Sequence, residues 1–205
     1  MTKLGDARRT AVLDQATHVA SVEGLTGLSF GLLAEQTAVP KSALQTLFGT
    51  KEELQLAIIK TAVDVFAQTV FMPAEQHPEG LPRLRALMLA WVDYLKVFEG
   101  GCIFASGASE LDGHPGPVRD ALIDAVNAGD ALITRDINLA IRLGELPADT
   151  DVEQLAFELH AMILQANHNH QLLGRRDALD RARTAIERLI FAIRRPTSET
   201  IDTTD

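Results

Sequence analysis

Residues 29–54 of the chain read SFGLLAEQTAVPKSALQTLFGTKEEL, and this run concentrates side chains suited to one chemistry: hydrogen bonding to nucleic-acid bases and phosphates. Lys41, Ser42, Ala43, Gln45 and Thr46 fall on the outward positions of a short helical segment, while Leu44 and Phe48 recur at the spacing of an inward face. Gln45 carries the paired donor and acceptor that match adenine. Lys41 can meet guanine or a phosphate, and the Ala43 methyl can touch the methyl of thymine. Lys51 falls in the first turn of the next helix, where free backbone N–H groups and the helix dipole already favour an anion. Ser29 opens the preceding helix and can hold a phosphate in the same way. The competing reading of Lys41 and Lys51 is plain solvated charge.

Positioning these groups takes two short helices, expected over about 30–37 and 40–46 around a tight turn, with Leu33 inward and Pro40 in the first turn of the second. That is a helix-turn-helix, whose second helix enters the major groove. A helix over 6–23 precedes it, ended by Gly24. A fourth helix follows Thr50, whose pairing with Glu53 predicts a capping box, and it runs to Phe71, where Pro73 stops it. The clearest loop is 73–82. Further helices are expected over about 81–98, broken by the Gly100-Gly101 pair, then 103–110, 116–143, 151–173 and 177–194. Thr150 and Glu153 predict a second capping box, and Pro196 ends the last helix. No strand pattern occurs. The fold class is therefore all-α, divided into a head over 1–50, a helical body over 51–195 and a polar tail over 196–205.

Composition fits a soluble globular chain of 205 residues, with 46% hydrophobic and 23% charged residues. The longest stretch without a formal charge, which includes residues 160–174, is too short and too polar to span a bilayer. No apolar core follows a basic start at the N-terminus, so no secretory signal and a cytoplasmic location are expected. The net charge is −9, an unusual balance for a binder of polyanions. Its distribution matters: residues 1–60 hold six basic and six acidic residues, so the remainder carries the whole deficit. A neutral head on an acidic body directs nucleic acid to the head alone and predicts weak non-specific binding.

These residues resemble the tetracycline-repressor (TetR) family of transcriptional regulators. The likeness is carried by Arg9, Ala16, Gly24, Leu33-Ala34, Val39, Lys41, Leu44, Phe48 and the run Lys51-Glu52-Glu53-Leu54; the stretch 100–122 resembles the regulatory domain of one subgroup. The resemblance implies a repressor that leaves its operator when a small amphipathic molecule binds the body, helix four swinging the heads apart. Three positions depart from the family pattern. Ala38 stands where the turn usually has glycine, at a cost of roughly 1 kcal/mol if the backbone is left-handed. Gln45 and Leu47 replace the usual aromatic residue and histidine.

One recognition helix is too small to specify an operator, so a homodimer on a palindromic duplex is expected, paired through the apolar faces of helices eight and nine. The family's ligand pocket lies between helices four and eight. The residues suited to line it here are Phe66, Met88, Trp91, Tyr94, Phe98, Phe104, His160, Leu164 and Asn167; the competing reading of each is plain core. No cofactor is implied. Asn167-His168-Asn169-His170 does not make a metal site, because residues two apart point about 200° apart around a helix. Cys102, the single cysteine, reads as a small buried side chain rather than a redox sensor. Two rivals remain: a helical interaction module with a degenerate head, and a helical-bundle enzyme. The enzyme lacks the Glu-x-x-His pairs of a di-iron bundle and any phosphate loop or nucleophile elbow.

Overall fold

Apolar residues at helical spacing dictate how the chain packs, and the computed structural model, which describes residues 3–194, has only helices as regular elements in that span. The expected tail over 196–205 and the stop at Pro196 lie outside the described residues. The head comprises α1 (Lys3–Glu23), α2 (Phe30–Thr37) and α3 (Lys41–Phe48). Val12, Leu13, Ala16 and Ala20 of α1 share a buried core with Leu33 of α2 and Leu44 and Phe48 of α3. Ser29 caps α2 by accepting from the Leu32 N–H at 3.2 Å. Pro40 precedes α3 as its N-cap instead of sitting inside the first turn.

The connector α4 (Lys51–Phe66) starts on the expected capping box: the Thr50 side chain accepts from the Glu53 N–H at 3.1 Å, and the Glu53 carboxylate accepts from the Thr50 N–H at 2.7 Å. Helical structure does not stop at Phe71. It continues through a π-turn at Ala67–Phe71 into Met72–Ala74, with Pro73 inside it. The wider turn accommodates a ring that a regular α-turn would push into the carbonyl four residues back. By length and composition alone the stretch Lys51–Ala74 is long and apolar enough to cross a membrane, a test that core helices of folded proteins also pass. Here Leu54, Ile58, Ile59, Ala62 and Val70 are instead buried within the protein, and Lys51, Glu52, Glu53, Lys60 and Asp64 place charges along the helix.

The body continues with α5 (Leu81–Tyr94), α6 (Ile103–Leu111), α7 (Pro117–Arg142), α8 (Val152–Gln171) and α9 (Ala178–Ile193). Helix α5 ends four residues before the expected Phe98. Its chain unwinds into three-residue turns, with Lys96 N–H on the Asp93 carbonyl and Val97 N–H on that of Tyr94, which lets Phe98 pack edge-on against His18 of α1 at 5.2 Å. The second capping box does not form. Asp151 caps α8 by accepting from the Gln154 N–H at 3.0 Å, and the Thr150 hydroxyl donates to the Pro147 carbonyl. An aspartate one residue later outcompetes the threonine because its carboxylate accepts more strongly at a helix N-terminus.

Two features tie together the elements around the connector. Arg83 of α5 pairs with Asp136 of α7 at 2.9 Å, both buried, and Arg135 joins Asp136 to Glu75 just beyond the connector. At the other end Gly100 lies so close to α1 that a Cβ there would stand 1.8 Å from the Ser21 carbonyl; its N–H donates to the Ser21 hydroxyl at 3.0 Å.

Candidate functional site

The α2–α3 turn presents a polar face. Lys41, Ser42, Gln45 and Thr46 are exposed, Ala43 is half-buried beside them, and Leu44 and Phe48 anchor the opposite side in the core. Arg9 of α1 lies over the Phe48 ring at 5.1 Å and so braces α3 from behind. Ala38 adopts φ 53° and ψ 22°, the one left-handed residue other than glycine among the described residues. The turn therefore keeps the backbone shape that glycine ordinarily supplies and carries a Cβ penalty in doing so.

Lys51 is exposed at the start of α4, and its ammonium donates to the Thr26 carbonyl in the α1–α2 loop. Ser29 is exposed as well, with its hydroxyl oxygen accepting the α2 cap bond. Both are therefore exposed while also holding the head together. Two partners of this loop escaped sequence reasoning. Gln55 of α4, buried, donates to the Leu25 carbonyl at 2.6 Å. Glu110 of α6 accepts from the Leu25 and Thr26 N–H groups at 3.2 and 2.8 Å. Separations of 30 and 85 residues leave no local signal for either contact.

Behind the head, α4, α5, α6, α7 and α8 line an open cavity of about 950 Å³. It brings together Phe66, Trp91, Phe104, His160, Leu164 and Asn167 in its wall. Met88, Tyr94 and Phe98 are not wall residues; all three are buried in the core. Tyr94 supports the wall from behind, edge-on to Phe66 at 5.2 Å and stacked on Phe104 at 6.4 Å. Its hydroxyl is buried without a partner, and burial pushes the phenol well above its ordinary value. Helical spacing alone identifies inward residues but cannot tell a residue facing solid core from one facing a hollow.

The π-turn adds Ala67 and Phe71 to the wall, and α7 adds Gly129, whose missing side chain leaves room for the Trp91 ring: a Cβ there would lie 2.8 Å from it. An isolated glycine inside a helical pattern was the available signal for that close approach. Two polar wall groups are fixed by neighbours. The His160 ring nitrogen Nδ1 contacts Asp130 of α7 at 2.6 Å, and the Asn167 carbonyl oxygen accepts from the Cys102 N–H at 3.0 Å. Cys102 is buried, and burial pushes its thiol up, away from the reactive thiolate. Among the described residues no three metal-ligating side chains converge.

Residues 80–186 match the family model described as tetracyclin repressor-like, C-terminal domain. The chain belongs to the tetracyclin repressor-like family. Its helix-turn-helix head and all-helical body are the architecture of these transcriptional regulators. A TetR transcriptional regulator from Chloroflexus aurantiacus J-10-FL is 21% identical, with a TM-score of 0.87, 96% of this chain and 100% of that one being covered. A putative transcriptional regulator from Saccharomonospora viridis in complex with choline is 18% identical, with a TM-score of 0.76 and coverage of 93% and 100%. AibR in complex with isovaleryl coenzyme A and operator DNA is 19% identical, with a TM-score of 0.72 and coverage of 93% and 100%. No curated protein sequence matches the chain. At these identities the TetR-like structures share its fold.

Proposed function

We propose that the chain is a dimeric repressor that holds a palindromic operator through α3 and releases it when a small amphipathic molecule fills the body cavity. The observation that carries this reading is the course of α4 and its extension. Lys51 at one end follows α3 in the chain and donates to the Thr26 carbonyl of the head, while Phe66 and Phe71 at the other form part of the cavity wall. One rigid element thus spans both sites, so a ligand that prefers one position of the cavity wall biases the position of the head.

In this reading Gln45, Lys41, Ser42, Ala43 and Thr46 meet base edges and adjacent phosphates, and Lys51 and Ser29 hold the backbone. Lys51 then exchanges or shares its Thr26 carbonyl with a phosphate oxygen. The dimer forms through α8 and α9, where Phe191 is 65% exposed in the single chain and where Phe157 (70%) and Leu172 just past α8 (72%) also edge the cavity. Large apolar side chains left so open on two adjacent helices favour a second copy as cover. The molecule acts in the cytoplasm, where its operator lies.

The test is a mobility-shift titration of DNA-free protein on the region upstream of its own gene. Wild type is expected to retard that duplex, and the double variant Gln45→Ala, Lys51→Ala to lose at least tenfold in affinity. Equal binding by the variant would remove α3 and the start of α4 as the reading surface.

A further inference from the structure

The cavity wall is chemically uneven. None of its residues is Lys, Arg, Asp or Glu, so the wall offers a charged ligand no fixed countercharge. Most polar wall groups are already committed. The Ser106 and Ser109 hydroxyls donate to carbonyls of their own helix, Gln165 donates to Asn169, His168 is exposed, and Gln171 lies at the Gly101 end of the wall. What remains is a small set of oriented atoms.

His160 is the first. A carboxylate only accepts, so the 2.6 Å contact with Asp130 holds the proton on Nδ1 and leaves Nε2 as the atom for a ligand. In the neutral ring Nε2 accepts, and the carboxylate behind it strengthens that acceptor. Asn167 is the second. Its carbonyl is taken by the Cys102 N–H, so its amide NH2 is the free end and can only donate. Trp91 packs on the His160 ring at 5.2 Å, and its indole N–H is buried with no acceptor. His160 and Asn167 are seven residues apart on one helix, two turns or about 10 Å along its axis. Between them the wall is aromatic and aliphatic, from Phe66, Trp91, Phe104 and Leu164.

We infer that the effector is an uncharged, elongated hydrophobe with a hydroxyl at one end, donating to His160 Nε2, and a carbonyl-type oxygen at the other, accepting from Asn167. This rests on the cavity being the effector site, as proposed above, and it narrows an amphipathic molecule to a neutral one with polar ends of opposite hydrogen-bonding sense.

The test is calorimetric titration of the full chain, without DNA, by a matched set of biphenyls. The probe p-hydroxy-p′-acetylbiphenyl carries both ends about 10 Å apart, comparable to the two-turn rise from His160 to Asn167. Loss of the hydroxyl, in p-acetylbiphenyl, is expected to weaken binding about tenfold in wild type and less than twofold in His160→Phe. Loss of the acetyl group, in p-hydroxybiphenyl, is expected to weaken wild type similarly and to matter little in Asn167→Asp, which keeps an acceptor for Cys102. Biphenyl-p-carboxylate is expected to bind most weakly of the set. Tighter binding of the carboxylate, an equal hydroxyl effect in His160→Phe, or no heat from any probe would overturn the inference. The wild-type series decides this even if a variant fails to fold. Operator binding is read separately by mobility shift, so a failed ligand class and a failed regulator reading give different results.

Discussion

The Glu110 carboxylate of α6 accepts from the Thr26 backbone N–H at 2.8 Å and from the Thr26 hydroxyl at 2.7 Å. Lys51 of α4 donates to the carbonyl of the same residue. The loop between α1 and α2 is therefore held on one side by a helix whose Phe104 and Ala105 wall the cavity, and on the other by the connector. Glu110→Ala removes the acceptor for two backbone donors and is expected to cost about 1 kcal/mol in urea unfolding, with Glu110→Gln intermediate. Amide exchange at Leu25 and Thr26 is expected to quicken in the alanine variant. Unchanged protection at both would show that the loop does not depend on α6.

Ala38 supplies a second test, because it holds φ 53° with a Cβ in place. Ala38→Gly is expected to raise stability by up to about 1 kcal/mol, since the relief of left-handed strain exceeds the added freedom of the unfolded chain. Ala38→Val is expected to lower it by more. Both are read as shifts of the urea midpoint at constant slope. A destabilised glycine variant would mean that the Ala38 methyl contributes packing that outweighs its strain.

The order and number of helices were legible in the sequence because apolar spacing and end signals agree along most of the chain. Thr50 with Glu53 marked the start of α4 correctly, since both partners of that box are local. Thr150 with Glu153 misled, since Asp151 offered a better acceptor one residue on. Pro73 misled for another reason: a π-turn, set by packing rather than by local preference, absorbed it. The exposed face of α3 was readable from Leu44 and Phe48, which define the inward side by themselves. Within the cavity, His160 and Asn167 were readable as polar residues on an amphipathic helix. Asp130 and the Cys102 N–H, which orient them, come from elsewhere in the chain and carried no sequence signal.

The α4 cap also sets a pH dependence. The Thr50 backbone N–H, and then its hydroxyl, hold the Glu53 carboxyl below its ordinary value. A depressed folded value means that the unfolded chain binds the proton more readily, so this contribution is present above the unfolded value and is lost as pH falls through the folded one. The stability difference between wild type and Glu53→Gln is therefore expected to be largest near neutrality and to shrink with acidification below the ordinary glutamate range. A difference that stayed constant from pH 7 to pH 3 would assign the effect of the substitution to something other than the charged cap.

Phe191 on α9 is 65% exposed, and in the proposed dimer it is covered. Phe191→Glu is expected to convert the assembly to a monomer in sedimentation velocity while leaving the helical content of the chain intact, since a buried uncompensated carboxylate opposes association. Unaltered dimers would move the interface away from that part of α9, and a wild-type monomer would remove the α8–α9 assembly altogether.

The central claim is that α3 reads DNA as one half of a twofold pair. Selection by the full chain from a library of randomised duplexes, followed by sequencing of the retained pool, tests it most directly. An inverted repeat with half-sites one helical turn, about 34 Å, or a multiple of it apart is expected, with loss of the enrichment in the Lys41→Ala, Gln45→Ala variant. A pool without symmetry, or one that the variant recovers unchanged, would contradict it.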